Sequence, residues 1–349
     1  MLKRNNLIIL VIVLAVLAGL SLMQTTRHRL ATTRSNTEPV LSQAVDADQI
    51  KQVDIGYGAT KDAVVLEHQP DGWVVASAYG HAASPTRVQT LLDNLNDLGG
   101  EFRSDAADVL PDYGFTDSTM VTITAYGPDS DKPVLALDIG AKPQGSIGNF
   151  VKLPSSNAVY LTRKGLLGNL GLYSGPGMPQ SKFFLELQAY KADRDSVEAI
   201  TLHNEGSVIA LEKEFSEPEP NPADTTGIAP EVNRKVYEWK ITKPHRKAAL
   251  KTKADAILGA VCSVRAVDID DPNGDLADYG LAEPQKWVEV RLHDGTTATL
   301  NFGAKREAEG DKPGGIYLQV VGDKTVWVIG EYIENNIFKS YQDLLPEDK

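Results

Sequence analysis

The sequence predicts an α+β protein: an N-terminal transmembrane helix followed by two repeated units, each a mostly antiparallel sheet packed with one main helix. Three observations predict it. Leu7–Met23 is an uncharged apolar run, and the chain has no second one. Beyond residue 40, short segments that alternate apolar and polar side chains recur between turn signals. Landmark residues also return at equal spacing: Tyr113 follows Trp73 by 40 positions, and Tyr279 follows Trp239 by 40.

The apolar run comes first. At about 1.5 Å per residue it spans roughly 26 Å, against a hydrocarbon core of about 30 Å. Lys3 and Arg4 precede it, and Gln24, Thr25 and Thr26 extend it into the headgroup zone. The run is longer than the apolar part of a usual signal peptide, which favours a retained anchor. Cleavage near Ala18 or Ser21 is the competing reading. Arg27, Arg29 and Arg34 balance the basic residues on the other side, so charge bias does not orient the helix. The expected topology puts the N-terminus in the cytoplasm and the bulk of the chain in the periplasm, as a single-pass protein of the inner membrane. Residues 1–34 form the tip, helix and stalk.

The first unit is expected over 35–173. Its opening segment leads to a strand ending at Ile55; Val64–Glu67 and Trp73–Val75 give two more strands around the turn Pro70-Asp71-Gly72. Ser84 and Pro85 then suit a helix start, and Val88, Leu91, Leu92, Leu95 and Leu98 share one helical face. Met120–Thr124 and Val134–Ile139 alternate as strands with one buried face, and the second ends in Gly140-Ala141-Lys142. A hairpin carrying Val159–Leu161 and a short closing helix complete the unit.

Residues 174–182, with the run Ser174-Gly175-Pro176-Gly177, read as a linker. The second unit, 183–349, repeats the order. Its strands end near Leu202 and Glu212, Trp239 opens the third, and Leu250, Ala254, Ile257, Leu258 and Val261 give the helical stripe. Trp287–Leu292 and Ala298–Phe302 form the alternating pair, ending in Gly303-Ala304-Lys305, before the hairpin strand Val326–Val328. An insertion at 215–234, with four prolines and four acidic residues, is expected to be a disordered hairpin tip.

Charge narrows the function classes. The first 34 residues carry five basic side chains and no acidic one; removing those five from the 35 basic residues leaves 30 against 47 acidic ones. Such a body repels nucleic acid, so no nucleic-acid partner is expected. A hydrophobic content of 42% is enough for folded domains rather than a disordered chain. The single cysteine, Cys262, falls on or near the helical stripe and reads as a buried inert thiol. The six histidines, His28, His68, His81, His203, His245 and His293, have no ligand spacing. Asp268, Asp270, Asp271, Asn273, Asp275 and Asp278 form the one dense carboxylate cluster. No register places a glycine and a closing glutamate as a calcium loop requires, so the cluster reads as a solvated loop with a helix-capping Asp, with a weak cation site as the alternative. Asp-Tyr-Gly at 112–114 and 278–280 reads as a helix-ending turn, and Trp73 and Trp239 as core anchors. The pattern assigns no catalytic, cofactor-binding or metal residue and no cofactor.

The motifs Tyr279-Gly280-Leu281-Ala282-Glu283-Pro284, Phe302-Gly303 and Ile316-Tyr317-Leu318 with Val326-Trp327-Val328, joined to the anchor, the Trp strand and the helix, resemble the bacterial domain-of-unknown-function 4340 family. The likeness covers nearly all of 41–346 as two copies. The first copy departs from it, since Tyr113-Gly114-Phe115 is followed by Thr116-Asp117-Ser118 without the proline. The resemblance implies a membrane-tethered envelope protein, of a kind often considered accessory to gliding-type ABC transporter systems, with no established activity. The resulting expectation is a non-enzymatic contact protein. Its partners would be membrane lipid, through the N-terminal helix, and an ABC-type transporter subunit. The alternative is an envelope hydrolase or carbohydrate-acting enzyme using paired carboxylates.

Overall fold

The computed structural model describes residues 37–41, 46–96, 98–128, 132–143, 145, 147–216 and 236–346. The expected membrane helix over 7–23 lies outside them, as do residues 217–234 of the expected insertion. Among the described residues no helix is long and apolar enough to cross a membrane. The chain divides into two compact units, Met1–Phe184 and Leu185–Lys349.

In the first unit the strands are β1 (Thr37–Pro39), β2 (Gln52–Tyr57), β3 (Thr60–Gln69), β4 (Gly72–Val75), β5 (His81–Ala82), β6 (Gly99–Ser104), β7 (Val121–Tyr126), β8 (Pro133–Ile139), β9 (Asn149–Lys152) and β10 (Val159–Thr162). They form one sheet in the order β1-β6-β10-β9-β8-β7-β2-β3-β4-β5. Helix α1 (Pro85–Asn96) lies between β5 and β6 in the chain. Alternation explains the layering. In β7, Val121, Ile123 and Ala125 are buried while Thr122, Thr124 and Tyr126 face the other way. The helix buries Val88, Leu91, Leu92 and Leu95, four of the five positions its spacing predicts, while Leu98 lies beyond its end at Asn96. Ile55, Leu66, Leu91, Leu95, Ile123, Leu137 and Ile139 make the dry centre between helix and sheet.

The second unit repeats this plan strand for strand: β11 (Gln188–Lys191), β12 (Val197–Asn204), β13 (Ser207–Ser216), β14 (Val236–Lys243), β15 (Lys247–Ala248), β16 (Ser263–Asp270), β17 (Lys286–Leu292), β18 (Thr297–Arg306), β19 (Gly315–Val320) and β20 (Val326–Ile329). Its order is β11-β16-β20-β19-β18-β17-β12-β13-β14-β15, so each strand holds the place of the one numbered ten lower. Helix α2 (Lys251–Val261) buries Ala254, Ile257, Leu258 and Val261, and α3 (Glu331–Ile337) closes the unit.

Every strand pair described is antiparallel, and the repeat holds at the level of single bonds. Ala83 N–H donates to the Trp73 carbonyl at 2.8 Å, and Ala249 N–H to the Trp239 carbonyl at 2.9 Å.

Several expectations need correction. Each sheet has ten strands where sequence patterning gave seven. The extra ones are the very short β1, β5, β11 and β15, and β6 and β16, which directly follow the helices. The closing helix of the first unit is only a 3₁₀ turn at Gly168–Leu170. Phe215 and Ser216 are not insertion but the end of β13, paired with Tyr237 and Val236. The expected linker over 174–182 lies within the first unit. Ser181 and Ser77 hydroxyls meet at 2.8 Å, the Arg87 guanidinium bonds the Phe183 carbonyl and lies 4.6 Å from its ring centroid, and Phe184 is fully buried.

Candidate functional site

Asp-Tyr-Gly and Gly-Ala-Lys, read separately as repeated motifs, prove to be two halves of one joint. In the first unit the Ala141 N–H donates to the Tyr113 carbonyl at 2.7 Å, and in the second Ala304 donates to Tyr279 at 2.7 Å. Gly114 and Gly280 sit at φ +84° and +65°, where a side chain is strained. Gly140 and Gly303 let the opposing tyrosine carbonyl approach closer than any Cβ would allow. Tyr113 packs against Phe150, and Tyr279 against Tyr317, each with ring centroids 4.7 Å apart. The Tyr279 hydroxyl donates to the Asp271 carbonyl at 3.1 Å. The joint is structural and equal in both units.

The units differ on the sheet face turned away from the main helix. In the first unit Gly56, Thr122, Asp138 and Lys152 stand in one cross-strand row over β2, β7, β8 and β9. Lys152 Nζ donates to Asp138 Oδ2 at 2.6 Å, with side chains only 11% and 5% exposed. A cavity of about 330 Å³ opens beside the pair, lined by Lys61, Met120, Thr122, Thr124, Leu137 and Pro154 among others. Gly56 sits at a break in the β2–β3 register, and a Cβ there would come within 2.6 Å of the Thr122 hydroxyl.

The matching row of the second unit is His203, Trp287, Asn301 and Gln319. His203 stacks on Trp287 with centroids 4.2 Å apart and planes 9° from parallel. Its Nε2 stands 3.7 Å from Glu289 Oε1, too far for a hydrogen bond. The charged pair is thus replaced by two neutral amide residues, and the small residues by stacked rings.

The acidic cluster is not simply a solvated loop. Asp268 and Asp270 lie on β16 and hold the guanidinium of Arg306, itself 8% exposed, at 2.7 and 3.3 Å. Arg306 also donates to the Pro313 carbonyl, and the Tyr317 hydroxyl donates to Asp270 at 3.1 Å. Burial, then the Asp270 charge, pushes the Tyr317 pKa up to about 12. Asp271 and Asp275 turn inward to accept from the backbone N–H groups of Asn273 and Ala277. Among the described residues no group of three or more His, Cys, Asp or Glu could hold a metal ion.

The remaining singled-out residues are dispersed. His68 tilts on Trp73 at 5.2 Å, His245 on Tyr341 at 6.5 Å, and His28 lies outside the described residues. Trp239 is a core anchor, 1% exposed and donating to Asp255 at 2.8 Å, whereas Trp73 is half-buried. Cys262 is buried, and that burial pushes its thiol up to about 11. Lys213 was missed by sequence reasoning. It is buried, donates to the Arg194 carbonyl at 2.6 Å and lies over the rings of Tyr237 and Trp239; burial lowers its pKa.

A domain of unknown function, DUF4340, matches residues 73–234 and 239–347. The chain belongs to the DUF4340 family. Both matched segments begin at a tryptophan, Trp73 in β4 and Trp239 in β14; neither opens its strand as expected, since β4 starts at Gly72 and β14 at Val236. No curated protein and no solved structure matches the chain. Membership agrees with the resemblance carried by the Tyr279–Pro284 motif and extends over both copies. Neither the row nor the Arg306 clamp was legible in advance. Their members are far apart in sequence, and only the strand register brings them together.

Proposed function

We propose that this DUF4340 protein is a single-pass, membrane-anchored envelope protein that works by contact, as an accessory component of an ABC-type transport system. The carrying observation is one scaffold present twice with divergent outer faces. Two equal frames with different side-chain rows on the face away from the helix suit a protein that meets its partners through distinct surfaces. The uncharged run Leu7–Met23 and the acidic chain after it support a tether with the body outside the cytoplasmic membrane.

Protease added to spheroplasts should then degrade the body and leave the N-terminal segment with the membrane. A body protected from external protease would reverse the topology. Purification of the native protein in mild detergent should co-purify a transporter subunit. Recovery of the protein free of any transporter component removes the accessory role.

A further inference from the structure

We infer that the cavity on the outer face of the first sheet is a binding site for a small carboxylate with a short apolar tail, and that the second unit has closed the same place with its own side chains. Where the second unit carries the stacked His203 and Trp287, the first has Gly56 and Thr122, and Thr122 lines about 330 Å³ of space. The scaffold can therefore fill this face with rings and in one copy does not. The open copy also spends buried charge there: Asp138 and Lys152 form a pair that the closed copy replaces with Asn301 and Gln319. A buried ion pair is a poor route to stability, so its presence in a cavity wall points to use.

The lining sets the ligand class. Asp138 cancels Lys152, which leaves Lys61 as the uncompensated charge of the wall. The Lys61 ammonium has no hydrogen bond or ion pair among the described residues. One net positive charge suits a monoanion. The hydroxyls of Thr122 and Thr124 can donate to its oxygens, while Met120 and Pro154 offer apolar contact to a short tail. A phosphate dianion would carry a second charge toward Asp138 with no cation to meet it. Asp54, one row further along β2, accepts a hydrogen bond from Gln52 at 2.7 Å, and burial raises its pKa.

The chain has four methionines, and of the two described, Met120 lines the cavity and Met178 does not, so methyl-labelled methionine reports on it directly. The full chain in detergent micelles would be titrated with butanoate, 1-butanol and inorganic phosphate, with Met120 assigned through Met120→Leu. Butanoate should shift the Met120 signal saturably and leave Met178 in place; 1-butanol should shift neither signal. Lys61→Gln, on an exposed side chain, should weaken butanoate at least about tenfold, the worth of one charge-assisted hydrogen bond. Thr122→Trp should abolish the shift while Met178 keeps its wild-type position. Absence of a saturable shift, an equal response to 1-butanol, or undiminished binding in Lys61→Gln overturns the site. A phosphate response as strong as that to butanoate overturns the carboxylate class.

Discussion

At the scale of single residues, Asp138 and Lys152 show how a sheet face can carry charge. Each is buried because the other is present at 2.6 Å. Lys152→Met alone strands a carboxylate and should cost about 3–5 kcal/mol in urea unfolding. The double change Asp138→Asn with Lys152→Gln installs the pair that the second unit carries as Asn301 and Gln319. It should recover most of that loss. A double variant no better than the single one would mean that the two rows are not equivalent environments. Sequence reading could not have found this pair. Asp138 sits inside a recognised alternating strand, but Lys152 enters through β9, a four-residue strand with no alternation to mark it. Arg306 was hidden for a related reason. Its acidic partners were visible as a cluster, yet nothing in a linear pattern tells that Asp268 and Asp270 leave the loop and join β16.

At the scale of elements, the strong periodic segments were legible and the weak ones were not. α1, α2, β7, β8, β17 and β18 follow from alternation or helical spacing, because each buries one continuous apolar face. β6, with the sequence Gly99-Gly100-Glu101-Phe102-Arg103-Ser104, carries no such face and is held by its neighbours on both sides. The joint between the glycine motifs is the element most sensitive to added volume. Gly140→Ala and Gly303→Ala each push a methyl group into a tyrosine carbonyl, and each should destabilise its own unit by roughly 1–3 kcal/mol. Similar losses in thermal unfolding of the two variants are expected; a silent variant in either unit would break the equivalence. The β13–β14 hairpin should behave in the opposite way. Replacing 217–234 by Asn-Gly shortens a connection whose closure costs only about 0.6 kcal/mol per doubling of length. The melting temperature should stay level or rise slightly, and a marked fall would show that the segment packs on the body.

At the scale of the whole molecule, the boundary between units lies after Phe184, not in the glycine-rich run that composition suggested. A fragment ending at Tyr173 would lose Phe184, which is fully buried, and should unfold about 3–5 kcal/mol more easily than one ending at Phe184. Equal stability of the two fragments in denaturant titration would restore 174–182 as a linker. The shared strand order also bears on how the protein reaches its native state. Hairpins between sequence neighbours close in roughly 1–10 μs. The seams β2–β7 and β12–β17 join residues as distant as Gln52 and Tyr126, and they come later. At that stage the chain holds two seams of one geometry, and β2 could zip onto β17, the exchange to which tandem repeats are prone. The rows tell them apart. Gly56 offers Trp287 no ring to stack on, and Thr122 offers His203 none. Divergence of the two faces thus gives each seam its own mate, and a chain carrying the same row in both units would refold with more swapped species.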